Sequence, residues 1–131
     1  MAKLFTGPGP LTAAFLIREA HGMYRSREEV NVDGGVDGLD PGTILGVRTA
    51  TGVYARLTPG ATDGTQTVAG ILWEGIAPQE EGAAGNVVRR TVVARDAEVH
   101  KTELVYSANA SAAQITAAYT GLRALGIIPR L

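Results

Sequence analysis

The sequence predicts a mainly β, α+β fold: a small glycine-rich antiparallel sheet that curls or closes into a barrel, one C-terminal helix, and an extended N-terminal arm. Three observations predict it. Between residues 40 and 72 lie three strand-sized segments rich in Val, Ile, Leu and Tyr: TILGV at 43–47, GVYARL at 52–57 and TVAGIL at 67–72. Thr51-Gly52, Pro59-Gly60 and Asp63-Gly64 separate them, and turns this closely spaced favour a meandering antiparallel sheet. Near the C-terminus the apolar period changes from that of a strand to that of a helix.

At the start of the chain, Gly7-Pro8-Gly9-Pro10 cannot sit in a helix interior or a central strand, because proline lacks the N–H that either needs. The apolar run that follows, Leu11, Thr12, Ala13, Ala14, Phe15, Leu16 and Ile17, lacks the polar alternation of a half-buried strand. Residues 1–22 are therefore expected to form an arm, extended or disordered in the free protein, and residues 23–131 a single β-rich domain. On the residues alone, the 11–17 run fits either a segment that adds to another protein as a strand or the first strand of its own domain.

Arg25-Ser26-Arg27-Glu28-Glu29 reads as a solvated stretch leading into Val30-Asn31-Val32, which alternates as a strand does. Asp33-Gly34-Gly35 and Asp37-Gly38 then turn the chain. Residues 78–85 form a polar loop, and the segments at 87–94 and 98–106 read as a hairpin turning at Arg95-Asp96-Ala97. Ser111 followed by Gln114 is a capping box, and Ile115, Ala118, Tyr119, Leu122 and Leu125 form an apolar stripe at helical spacing. One helix over 112–125 is expected, packed on the sheet, stopped by Gly126 and kept from resuming by Pro129.

A chain of 131 residues supports one domain with a core. Twelve Lys and Arg against thirteen Asp and Glu leave a formal charge of -1, so no strong electrostatic term exists for nucleic acid or an anionic membrane. A protein partner is expected instead. The absence of cysteine excludes a disulfide framework, a thiolate nucleophile and a cysteine-based metal site. The apolar run at 11–17 is interrupted by Arg18 and Glu19 and is short of the roughly 20 residues of a membrane span. Lys3 alone precedes it, which does not suit a signal peptide.

The residues that invite a chemical reading have blander ones that fit better. Asp33, Asp37 and Asp40 suggest a calcium loop, but counting from Asp33 puts Gly35 at the third position and Ile44 at the twelfth, where an EF-hand needs oxygen ligands. Turn chemistry explains them. His21 and His100 are the only histidines and neither adjoins an activated serine. Arg89 and Arg90 are adjacent on a strand, so they point to opposite faces and make no basic patch. Trp73, the sole tryptophan, fits core packing ahead of an interface anchor. No catalytic, cofactor or metal site is expected.

The elements Ala61-Thr62-Asp63-Gly64 and Gly70-Ile71-Leu72 carry a resemblance. A β-rich domain with ATDG followed by an apolar strand ending in GIL resembles the small head decoration proteins of lambda-like tailed phages. The resemblance implies a non-enzymatic protein of the virion, bound as a homotrimer to the outer surface of the expanded head, where it cements the capsid against the pressure of packaged DNA. It also implies that the N-terminal arm contacts the major capsid protein, which assigns that role to Leu11, Thr12, Ala13, Ala14, Phe15, Leu16 and Ile17. Neither nucleic acid nor membrane is then a partner. A surface-displayed module for a carbohydrate or receptor is the alternative, disfavoured because aromatic residues make up only 5% of the chain. An enzyme would need a clustered acid, base or nucleophile.

Overall fold

A computed structural model describes residues 11–20, 25–107 and 109–131; the Gly7-Pro8-Gly9-Pro10 linker and His21 lie outside them. Along the described chain run β1 (Leu16–Glu19), β2 (Arg27–Asp33), β3 (Ile44–Val47), β4 (Tyr54–Arg56), β5 (Gly70–Leu72), β6 (Val87–Val93), β7 (Ala97–His100), α1 (Ala112–Ala124) and β8 (Ile127–Arg130). The three central segments of the sequence become β3, β4 and β5, each trimmed by its flanking turns.

Five strands close a barrel in the order β2-β4-β3-β5-β6. Its longest ladder is antiparallel, β2 against β6 from Arg27↔Val93 to Asp33↔Val87. The seam is one parallel pair, Val32↔Tyr54 between β2 and β4. Successive strand residues point to opposite faces, and in β3, β5 and the end of β6 both faces are buried. Val32, Leu45, Leu72 and Val92 join Leu39 and Ile76 in one core. Their neighbours Ile44, Ile71 and Val93 join a second core with Phe15, Val99, Leu122 and Ile127. Burial on both sides is why β3, β5 and the end of β6 read as unbroken apolar runs.

The second core lies between the barrel wall and a layer made of α1 and a three-stranded sheet in the order β1-β7-β8. β1 runs antiparallel to β7, and β8 runs parallel to it. The helix starts where its cap predicts: the Gln114 N–H donates to the Ser111 hydroxyl at 3.1 Å and the Ser111 N–H to the Gln114 side chain at 3.0 Å. Ala118 and Leu122 of the apolar stripe are buried, with Tyr119 and Leu125 packed at their margin. Leu125 caps the helix and Gly126, at φ 79°, turns the chain away.

Three expectations are corrected. The segments at 87–94 and 98–106 do not pair as a hairpin, because both edges of β6 are already taken by β2 and β5. Asp96 adopts a left-handed φ of 53° and sends the chain out of the barrel, so β7 pairs with β1 and β8 instead. After His100 the strand gives way to a 3-10 turn over Lys101–Glu103. Pro129 does more than block the helix: it lies within β8, an edge strand opposite Val99, where a missing N–H costs no ladder bond. The charged stretch at 25–29 is not wholly solvated, since β2 begins at Arg27 and Ser26 is fully buried.

Candidate functional site

The N-terminal apolar run divides in two. Leu11, Thr12, Ala14 and Ile17 are exposed, Ala13 and Leu16 are half-buried, and Phe15 is 1% exposed. The chain turns here: the Ala14 N–H donates to the Leu11 carbonyl at 3.1 Å and the Leu16 N–H to that of Ala13 at 3.0 Å. Ala13 holds φ 57°, a left-handed conformation that its Cβ disfavours by about 1 kcal/mol. Its own N–H donates to the Trp73 carbonyl at 2.9 Å. The Phe15 carbonyl accepts from the His100 N–H at 2.7 Å, where β1 meets β7.

Five side chains meet at this segment. Phe15 meets Trp73 edge to face, with ring centroids 6.3 Å apart at 86°. The Arg27 guanidinium covers the Trp73 ring, its Cζ 3.8 Å from the centroid. The same guanidinium grips Glu19 in parallel bonds, Nη2 to Oε1 at 2.6 Å and Nε to Oε2 at 3.0 Å, and the buried Ser26 hydroxyl donates to Oε2. Burial by itself would raise the Glu19 carboxyl, but Arg27 and Ser26 outweigh it and hold the group below its ordinary 4.5. No local pattern marks this clasp, because it joins residues from three separate parts of the chain.

A carboxyl depressed in the folded state contributes stability that is present above its unfolded value and lost as pH falls through the folded one. For Glu19 that loss lies below pH 4.5. Glu19→Gln is expected to destabilise the protein by about 1 to 2 kcal/mol at pH 7, and the deficit should shrink at pH 3 as the wild-type carboxyl protonates. Urea unfolding at the two pH values reads it; an equal deficit at both would show that the charge is irrelevant.

The signature residues build the barrel. Gly70, Ile71 and Leu72 are β5 itself, buried throughout. In the preceding loop Ala61 and Gly64 are half-buried, and Thr62 and Asp63 exposed. The Asp63 carboxylate accepts from the Thr65 hydroxyl at 2.6 Å and the Thr65 N–H at 3.0 Å, which together hold its pKa below the usual 3.8. Its carbonyl accepts from the Thr49 N–H at 2.9 Å. The ATDG element is thus a clip that ties the β4–β5 loop to the chain just beyond β3.

The other singled-out residues lie apart. Asp33 accepts from the Gly35 N–H at 2.9 Å and pairs with Arg48 at 3.0 Å, and those two contacts lower its pKa. Arg90 donates to the Gly75 carbonyl at 3.3 Å while Arg89 is exposed. His100 is half-buried on β7, in register with Arg130. A crevice of about 10 Å³ between Ile44, Leu57, Tyr106 and Gln114 has room for one water. Its Tyr106 hydroxyl has no hydrogen-bond partner among the described residues; burial, then the neighbouring Tyr119, pushes its pKa upward. Among the described residues no three His, Asp or Glu side chains gather to hold a metal, and no helix is long and apolar enough to cross a membrane.

The family model of the bacteriophage lambda head decoration protein D matches residues 8–127. The chain belongs to that family. No curated protein matches it. As a head decoration protein it is a structural component of the phage virion, associated with the capsid. The match takes in the N-terminal turn, the whole barrel, the signature elements and α1, and ends as β8 begins. In this head decoration protein the GIL element is a barrel strand and the ATDG element the loop clip before it, while Leu11, Thr12, Ala14 and Ile17 of the N-terminal run stay exposed.

Proposed function

We propose that this head decoration protein binds the exterior of the expanded phage head as a homotrimer and cements the shell against the pressure of packaged DNA, without enzymatic turnover. The family match across residues 8–127 carries the reading. The partner is the major capsid protein, reached through the N-terminal segment. Within the 11–17 run, Leu11 at 70% exposure and Ile17 at 40% offer apolar contact area, flanked by Thr12 and Ala14. Phe15 contributes by anchoring the segment in the protein's own core.

Three copies close a ring through a heterologous interface, the same two patches meeting at each junction. A binder that recognises only the expanded lattice stabilises that state by mass action. Many such trimers around one shell add their effects, and bivalent or trivalent contact raises apparent affinity without new chemistry. A formal charge of -1 suits a protein surface and gives no grip on DNA.

Sedimentation tests this directly. The free protein should run at three times the 13.6 kDa chain mass and pellet with expanded heads but not with unexpanded ones. A monomer that ignores expanded heads would overturn the proposal.

A further inference from the structure

The clasp around residues 13–19 fastens a short edge strand at both of its ends. β1 is only four residues long and carries a register irregularity between Leu16 and Arg18, features that weaken an edge strand. It is nevertheless tied at both ends. At the front, Ala13 is held at an unfavourable φ of 57° by its bond to the Trp73 carbonyl. At the back, Glu19 is bonded by Arg27 and Ser26. Trp73 and Arg27 join the two ends, since the guanidinium that grips Glu19 also lies 3.8 Å over the indole whose edge contact is Phe15.

A circuit of this kind fixes a direction. Backbone strain persists only where its surroundings over-determine it, and Ala13 stands next to the exposed Leu11 and Thr12. Arg27 is the element common to both ends, and its planar fork can bond a carboxylate in parallel while stacking on a ring, which lysine cannot do. We propose that Arg27 is a positioning residue for head binding: by clamping Glu19 and covering Trp73 it fixes the backbone course of residues 11–19, and it raises affinity for the head without touching the capsid. A segment already held in its bound direction loses less freedom on docking. The inference rests on the head-binding role proposed above.

The test uses the full chain with Arg27→Met, which keeps an apolar stem, and Arg27→Lys, which keeps the charge. Hydrogen exchange is read at the Ala13, Leu16 and Ala20 amides, bonded to Trp73, Ala13 and Asp96. The Ala69 and Leu72 amides, bonded to Leu45 and Thr43 within the barrel, serve as the reference. Binding to expanded heads is titrated by co-sedimentation. Arg27→Met should speed exchange at the three clasp amides by about tenfold, leave the barrel amides unchanged, and weaken head binding by about tenfold, the effect of one charge-assisted bond pair. Arg27→Lys should fall between it and the wild type. Faster clasp exchange with full head affinity would overturn the proposal while leaving the decoration role intact, as would unchanged exchange. A wild-type protein that does not bind expanded heads would sink both. If Arg27→Met fails to fold, Glu19→Gln opens the same clasp more gently and carries the same readouts.

Discussion

Deleting residues 1–20 is expected to cost the protein about 4 kcal/mol or more of folding stability, whereas deleting residues 1–10 leaves every contact described above in place. Phe15 is 1% exposed and belongs to the core shared by the barrel wall, α1 and the β1-β7-β8 sheet. Removing a buried phenylalanine side chain typically costs about 3 to 5 kcal/mol. The longer deletion also strips β1 from β7 and removes the Glu19 carboxylate that Arg27 grips. Against a typical domain stability of about 5 to 15 kcal/mol, such a chain stands at the edge of folding. Urea unfolding of the two truncations and the intact protein decides it. Matching midpoints for the longer truncation and the intact chain would mean that Phe15 and β1 contribute nothing to the fold. The consequence for function is practical: lost head binding by the longer truncation would report the fold as well as capsid contact, so the contact is tested by polar substitutions at the exposed Leu11 and Ile17 of the intact chain.

The second large effect lies in the signature loop. Gly64 has a φ of 108°, and a Cβ built there would stand 2.2 Å from the Val47 carbonyl oxygen and 3.0 Å from the Thr49 amide nitrogen. Both are backbone atoms, so no side chain can swing aside. Gly64→Ala must therefore open the clip in which Thr49 donates to the Asp63 carbonyl and Thr65 to its carboxylate. The conformational penalty and the overpacking together should cost about 3 kcal/mol or more, a fall in melting temperature on the order of 10 °C. Thr62→Ala, two residues earlier and exposed, should change stability by less than about 0.5 kcal/mol. Thermal unfolding of the pair separates a loop under strict steric control from one that merely tolerates its sequence; equal small effects would refute the clip.

Much of the fold was legible because its signals are local. The strand character of 43–47, 52–57 and 67–72 follows from β-branched residues between glycine and proline turns, and the capping box at Ser111 and Gln114 specified the start of α1 to the residue. The same locality explains the misreading at 87–106. Two apolar segments joined by a short turn look like a hairpin, and nothing nearby in the chain reports that β6 has both edges occupied by β2 and β5. β8 was hidden for a related reason: a four-residue edge strand containing Pro129 has no strand signature of its own and forms only because β7 is there to pair with it.

By itself the sequence determined the class of fold, the helix and its cap, the turns, the lack of cysteine chemistry, and the ATDG and GIL elements whose resemblance agrees with the family match over residues 8–127. Each is set by neighbours within a few positions. Only the tertiary structure decided that the barrel closes through Val32 and Tyr54, that β3, β5 and the end of β6 are buried on both faces, and that Phe15 leaves the exposed run to enter the core. It alone brought Arg27 onto Trp73 and Glu19. Those outcomes depend on which surfaces meet when distant segments pack, and the free energy that selects among them comes from apolar area and paired charges contributed by parts of the chain that no local pattern connects.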